Sequence, residues 1–156
     1  YIIAISARQG GLCAGQVADR LANASEELGT HFGSFVGDTA AGQQLTELLS
    51  EKNKHLEDIV VLLKNGQAID TEVEAAHQVN AKIAELFAVK IPGVPVATLA
   101  AQLDNLFTKT VEEARAIVSG QCMNSLTLFE TDILDAVFGV VNLLMKPLTK
   151  HLMHRK

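Results

Sequence analysis

The sequence predicts an all-α protein, an up-and-down bundle of about five helices with a largely buried C-terminal helix. Apolar residues recur three and four positions apart in five segments, which is the repeat of a helix with one apolar face. None of the segments alternates apolar and polar residues as a half-buried strand would. Short connections between long helices favour antiparallel neighbours.

The first two predicted helices cover about residues 12–36 and 42–64. Each carries Leu, Val and Phe residues along one side. The loop GDTAAG follows the first helix, and Asn65-Gly66 supplies a left-handed cap that ends the second. Both segments therefore have an apolar face and a defined end.

The third and fourth predicted helices cover about residues 71–90 and 96–118. The sequence KIPGVPV separates them, and two prolines around a glycine cannot continue a helix. Ser119-Gly120 closes the fourth helix. We expect these two helices to form a hairpin.

The fifth predicted helix begins near Asn124 and includes ILDAVFGVVNLLMKPL, residues 133–148. This stretch is apolar on nearly every side of a helix, and Pro147 is expected to kink or end it. A helix surrounded by the other four would explain the pattern. An incompletely closed bundle, with a long apolar ligand beside this helix, would explain it equally well, and Gly139 would then allow a close approach.

The 156 residues predict one helical domain at 12–148, between an N-terminal segment, 1–11, and a basic tail, 149–156. The formal net charge is −5, and because four bases lie in residues 146–156, the rest of the chain carries −9. Such a body repels nucleic acid, so no nucleic-acid partner is expected. No apolar run is long enough to predict a transmembrane segment.

Three features together favour a secreted or cell-wall protein. The apolar start, YIIAIS, resembles the end of a signal peptide, although it could equally be the first packed segment. Asn23, Ala24 and Ser25 form an acceptor sequon for N-glycosylation at Asn23. Cys13 and Cys122 would fall at one end of an up-and-down bundle, so they form either a disulfide or two free thiols.

No motif in the sequence predicts an enzyme, a cofactor or a metal centre. The chain has no GxSxG, no glycine-rich phosphate loop and no CxxC pair. Glu74 and His77 have the spacing of one half of a two-metal carboxylate site, but no second copy exists. Helix-surface pairs explain them more simply. We therefore expect a non-enzymatic protein that binds no metal.

A hydrophobic small molecule or lipid is the partner that the apolar residues predict. The predicted lining of an apolar cavity consists of Phe32, Phe35, Leu63, Phe87, Phe107, Ile133, Val137, Phe138, Val141 and Leu144. Polar residues that could meet a head group are His31, His55, Lys64, Lys90 and Gln102, which the sequence does not rank. The oligomeric state is not predicted.

Four stretches of the chain carry a family resemblance. They are HFGSFVGD at the end of the first helix, VVLLKNG at the end of the second, AIDTEVEAAHQVNAKIAELFAVK over the third, and the PGV turn. In this order they resemble the fungal hydrophobic-surface-binding protein A family, which includes cell-wall mannoprotein lipid-binding domains. The resemblance implies a secreted, non-enzymatic helical bundle that encloses fatty acids or coats hydrophobic surfaces.

The sequence therefore leads to a first interpretation and two alternatives. The first is a secreted bundle that holds a fatty acid or similar ligand in a cavity between helices. The second is a surface-active or structural protein that adsorbs to hydrophobic surfaces through its apolar faces. The third is an allergen-like interaction module with a dry, tightly packed core.

Overall fold

The structure, a computed structural model, describes the backbone of residues 14–153 and the side chains of 19–153 except Cys122 and Leu126. In this part of the chain all regular structure is helical, which confirms the predicted all-α class. The elements are α1 (Ala14–Val36), α2 (Thr39–Lys64), α3 (Asp70–Lys90), α4 (Val96–Val118), α5 (Cys122–Thr127), a π-helical segment (Leu128–Ile133) and α6 (Leu134–Met153). The last three are continuous and together form the C-terminal helix.

In the series from α1 to α4 and the C-terminal helix, each helix runs antiparallel to the next helix in the chain, as the sequence predicts. In every consecutive pair, later residues of one helix meet earlier residues of the next. The contacts that establish this are Ser25 with Asn53 and Gly33 with Gly42, Glu51 with Lys82 and His55 with Glu72, Asn80 with Asp104 and His77 with Phe107, and Glu113 with Ser125 and Lys109 with Asp132. The bundle is therefore up-and-down.

The centre of the bundle is formed by α2, α3 and α4, each of which packs against the other two. Ile59, Val79, Leu99 and Phe107 are almost completely buried there. From this core, α1 extends outward on α2, and the C-terminal helix extends outward on α4. Three helices already cover one another's apolar faces, so no central position remains for a further helix.

The C-terminal helix is consequently a peripheral helix, and the expectation that it is largely buried is wrong. In α6 only Ala136 and Pro147 are buried. Phe138 is 59% exposed and Met145 is 55% exposed. One side of α6 faces α4 and the space beside it, and because apolar residues surround most of the helix, several of them face outward.

Pro147 does not end the C-terminal helix, since α6 continues through it to Met153. The first part of the predicted basic tail is therefore helical. A proline inside a helix removes one backbone donor, which usually destabilises the helix. Here the proline ring is buried, so packing against the bundle opposes that loss.

The turn between α1 and α2 is held by Asp38. Its side chain accepts a hydrogen bond from the backbone N–H of Ala41 at 3.1 Å and thereby caps α2, which begins at Thr39. Lys90 Nζ donates to the other carboxylate oxygen at 2.8 Å. These bonds hold the pKa of Asp38 below its usual value, with Lys90 the larger cause. The α1–α2 turn is thus connected to the end of α3.

Glycines allow α1 and α2 to approach closely. A Cβ on Gly42 would lie 2.6 Å from the carbonyl oxygen of Gly29 and 3.0 Å from the Cα of Gly33. Both neighbours are backbone atoms, which cannot move aside without separating the helices. The contact therefore requires the absence of a side chain at Gly42.

We expect Gly42→Ala to destabilise the protein by about 1–3 kcal/mol, because the added methyl group overpacks a backbone contact. The matched control is Gly139→Ala in α6, where the new Cβ would meet the terminal oxygen of Gln102 at 2.7 Å. That flexible side chain can rotate, so the control should be neutral or stabilising by up to about 1 kcal/mol through helix propensity. Urea unfolding followed by circular dichroism measures both, and equal losses would contradict the assignment.

Candidate functional site

An apolar cavity of about 450 Å³ lies between α1, α2, α3, α4 and α6. Twelve of its fourteen lining residues are apolar, and the other two are His31 and Lys52. The apolar residues are Leu28, Phe32, Phe35, Leu45, Leu49, Ile83, Phe87, Leu99, Leu103, Val140, Leu144 and Leu148. Ligand pockets in proteins commonly enclose about 300–1,000 Å³, so the cavity is within the range for a small hydrophobic molecule.

In the central core, α1 packs on α2 and α6 packs on α4, and the two outer helices make little direct contact with each other. The cavity is the space that this arrangement leaves between them. Across the core, the Phe32 and Phe87 rings pack at a centroid separation of 4.6 Å and form part of the wall. Between α1 and α6, the rings of Phe35 and His151 are 5.4 Å apart. That pair narrows the gap between the two helices at one end of the cavity.

The cavity opens to solvent on the α1 side. Leu28 lines it although the side chain is 57% exposed, and His31, one turn further along, is also exposed. An exposed residue can line a cavity only near its opening. We therefore place the entrance where Leu28 and His31 face α6.

Lys52 is the one lysine among the lining residues. It lies in α2 and is only partly exposed, with Nζ 5.7 Å from the centroid of the Phe107 ring. Burial lowers the pKa of the Lys52 ammonium from 10.5 to about 8, and the negative charge of Asp104 opposes part of that shift. A buried ammonium group without a full counter-charge is costly to the fold.

Next to Lys52, the core contains a layer of polar side chains. Asn80 is completely buried, and its Nδ2 donates to Asp104 Oδ1 at 2.9 Å. Asn80 Oδ1 and His77 Nε2 are buried and have no hydrogen-bond partner among the described residues. Along α3, Asn80 lies between Ala76, which belongs to the apolar cluster around Ile59 and Phe107, and Ile83, which lines the cavity.

Four of the ten residues predicted to bind a ligand lie on the cavity wall: Phe32, Phe35, Phe87 and Leu144. They come from α1, α3 and α6, which are far apart in sequence. The structure thus brings part of the predicted set together around a single space.

The other six predicted residues lie elsewhere. Phe107 is in the second core cluster and Ile133 is buried in the π-helical segment. Leu63 lines a separate depression between α2 and α4. The remaining three, Val137, Phe138 and Val141, are exposed on α6 and are not part of the cavity wall, to which α6 contributes Val140, Leu144 and Leu148.

Of the polar residues considered for the head group, only His31 lines the cavity. His55 Nδ1 pairs with Glu72 at 2.6 Å, and Lys90 pairs with Asp38. Gln102 is next to Gly139, so Gly139 accommodates a side chain of α4. The sequence analysis did not include Lys52. The sequence feature that could have identified Lys52 is its position, because Lys52 lies on the same helix face as the apolar residues Leu45, Leu49 and Leu56.

The sequence features that suggested secretion are only partly within the described residues. Cys13 lies outside them and the side chain of Cys122 is not described, so the disulfide stays a prediction. Asn23 is exposed on α1, whereas Ser25 is 3% exposed and accepts a hydrogen bond from Asn53 at 3.1 Å. The sequon serine is therefore packed against α2, while the acceptor Asn23 is exposed to solvent.

Two larger depressions are more polar. One, of about 600 Å³ near the start of the C-terminal helix, has Glu112 and Arg115 in its wall. The other, of about 690 Å³ between α1 and α2, has Thr30 and Thr46 in its wall. Within residues 14–153, no three His, Cys, Asp or Glu side chains are grouped as metal ligands, and no helix has the length and hydropathy to cross a bilayer. The apolar cavity remains the candidate site.

Comparison of the chain with protein-family models, with curated proteins and with solved structures finds no match. The chemistry and geometry of the cavity are therefore the basis for a functional proposal.

We expect Lys52→Met to stabilise the protein by about 1–3 kcal/mol at pH 7, because a pKa lowered by burial corresponds to about 1.4 kcal/mol per unit. Between pH 8 and 10.5 the unfolded chain binds more protons at Lys52 than the folded protein does. Wild-type stability should consequently rise in that window, and the advantage of Lys52→Met should shrink. Urea unfolding at pH 7 and 10.5 measures this difference.

The matched control is Lys82→Met, since Lys82 is 55% exposed on α3. Its change in unfolding free energy should be small and similar at both pH values. An advantage of Lys52→Met that stays constant between the two pH values would contradict the burial of the Lys52 ammonium.

Proposed function

We propose that the protein is a secreted, non-enzymatic carrier that holds a fatty acid or a similar single-chain lipid in the apolar cavity. The cavity itself carries the proposal, because about 450 Å³ of space is lined by twelve apolar side chains and two polar ones. A site of this composition suits a ligand with a long apolar part and one polar end.

Burial of an acyl chain supplies the binding energy. Each methylene group transferred from water to an apolar environment contributes about 0.8 kcal/mol. Several such groups exceed the cost of association, so no reacting group on the protein is needed. Phe32, Phe87, Leu99 and Leu144 provide apolar contact surface on four different helices.

The extracellular location is part of the same proposal and comes from the sequence. Its support is the apolar segment YIIAIS, the two cysteines and the sequon at Asn23. The resemblance to the hydrophobic-surface-binding protein A family agrees with both a secreted location and a lipid ligand. The open cavity favours a carrier over an interaction module with a dry core.

Native mass spectrometry of the purified protein, followed by extraction with organic solvent, tests the carrier function. We expect a discrete excess mass that extracts as a fatty acid or similar lipid, or a stoichiometric complex after incubation with long-chain fatty acids. Affinity should rise about fourfold for each added methylene group until the cavity is full.

Two tryptophan variants on one helix show whether the cavity is the site. Leu144→Trp should abolish binding, because Leu144 is on the wall and the larger ring fills the space. Phe138→Trp is the matched control and should bind as the wild type does, because Phe138 is 59% exposed and outside the cavity. Circular dichroism verifies folding of both. Equal effects of the two changes, or no complex with any lipid, would refute the proposal.

The outer face of α6 supports a second candidate, adsorption to hydrophobic surfaces. Val137, Phe138, Val141 and Met145 are between 37% and 59% exposed and lie along one side of the helix. Exposed apolar patches commonly mark sites of contact with other molecules or interfaces. None of these four residues lines the cavity, so the two functions can be tested separately.

We expect the double variant Phe138→Asp and Val141→Asp to reduce adsorption to an air–water interface several-fold, because charged groups oppose transfer from water. Surface-pressure measurements follow the adsorption. Leu144→Trp should adsorb as the wild type does, since it changes the cavity wall. Unchanged adsorption of the double variant would exclude this face of α6 as the contact surface.

A further inference from the structure

We propose that Lys52 binds the acidic head group of the ligand, so that the cavity selects long-chain carboxylates over neutral lipids. This inference rests on the proposed carrier function and specifies its ligand class. It depends on the position of Lys52, on the hydrogen-bonding groups around it, and on the apolar character of the rest of the wall.

The first observation is the position of Lys52 at one end of the cavity. On α2, the wall runs from Leu45 through Leu49 to Lys52, about 10 Å along the helix at 1.5 Å per residue. The antiparallel pair Ser25 and Asn53 places Lys52 on the Leu28 side of α1, away from Phe35. A carboxylate at Lys52 would thus leave the acyl chain to extend toward Phe35 and Leu148.

The second observation is that the Lys52 ammonium group has N–H donors available for a ligand. An ammonium group has three N–H donors. The Phe107 ring attracts the charge, with 5.7 Å between Nζ and the centroid, but a ring face does not replace a carboxylate. No described carboxylate lies within 4.0 Å of Nζ, and Asp104 Oδ1 already accepts a hydrogen bond from Asn80.

The third observation is the contrast between Lys52 and its surroundings. The lining residues of α3, α4 and α6 are all apolar, and on α1 the polar one is His31. In such surroundings a partly buried charge destabilises the fold unless an opposite charge approaches it. Asp104 offsets only part of this cost, and a ligand carboxylate would offset more of it, whereas an alcohol or an ester would not.

The decisive comparison uses dodecanoic acid and dodecanol, which share the apolar chain and differ in the head group. Their dissociation constants are measured by displacement of a fluorescent probe at pH 7 from the wild type, Lys52→Met, Lys52→Arg and Lys82→Met. Lys82 is an exposed lysine on α3 and serves as the control. Circular dichroism accompanies each variant.

In the wild type we expect the acid to bind on the order of ten- to a hundredfold more tightly than the alcohol, which is typical of a hydrogen bond to a charged group. Lys52→Met should bring that ratio close to one, mainly through weaker binding of the acid. Lys52→Arg should keep most of the preference, and Lys82→Met all of it.

Other outcomes would overturn either the role of Lys52 alone or the carrier function as well. A wild type that binds the acid and the alcohol equally, or a preference that persists in Lys52→Met, overturns the role of Lys52 and leaves the carrier function standing. A wild type that binds neither compound overturns both.

A second measurement needs no variant and therefore does not depend on the folding of one. Carbon NMR of the Lys52 Cε follows protonation of the amine, and dodecanoate should raise its pKa whereas dodecanol should not. Among the described residues, His31 of α1 shares the cavity wall with Lys52, His77 of α3 packs against the Phe107 ring, and Asp104 of α4 acts on the Lys52 charge. A Lys52 titration curve that dodecanoate leaves unchanged would overturn the inference.

Discussion

The close packing of α1 on α2 is the constraint on which the rest of the structure depends. Gly29, Gly33 and Gly42 allow the two backbones to approach closely, and the Thr46 side chain of α2 packs against Gly29. This contact fixes α1 on the outside of the α2–α3–α4 core, and Phe32 then reaches Phe87 of α3. Because α1 is held on α2 and α6 is held on α4, the two outer helices do not close over the space between them.

That space would be an unfavourable void if it were simply empty, since apolar side chains lose contacts wherever a gap remains. The fold tolerates it with glycine packing on one side, the α4–α6 contact on the other, and the Phe35–His151 pair at one end. A second cost is at Lys52, whose charge is partly buried beside the same space. One ligand with an apolar chain and an acidic head group would relieve both costs.

The outer side of α6 presents a different kind of surface. Its apolar residues are contiguous with those that face the cavity, because the helix is apolar around most of its circumference. The same sequence property therefore supports ligand enclosure on one side and surface contact on the other. Residues such as Leu144 and Phe138, two turns or less apart on one helix, belong to these different surfaces, and they allow the two proposed functions to be separated.

The sequence by itself determined the helices, their order and their antiparallel arrangement, because apolar periodicity and the Gly and Pro breaks are local properties of the chain. It also named Phe32, Phe35, Phe87 and Leu144, which share the cavity wall. Only the tertiary structure decided that α6 is peripheral and that Phe138 points outward, because an all-apolar helix carries no signal for which side is covered. The tertiary structure also made Lys52 a candidate. The sequence shows one charge within an apolar stripe, and only the packing of the other helices shows that this charge lies in the cavity wall.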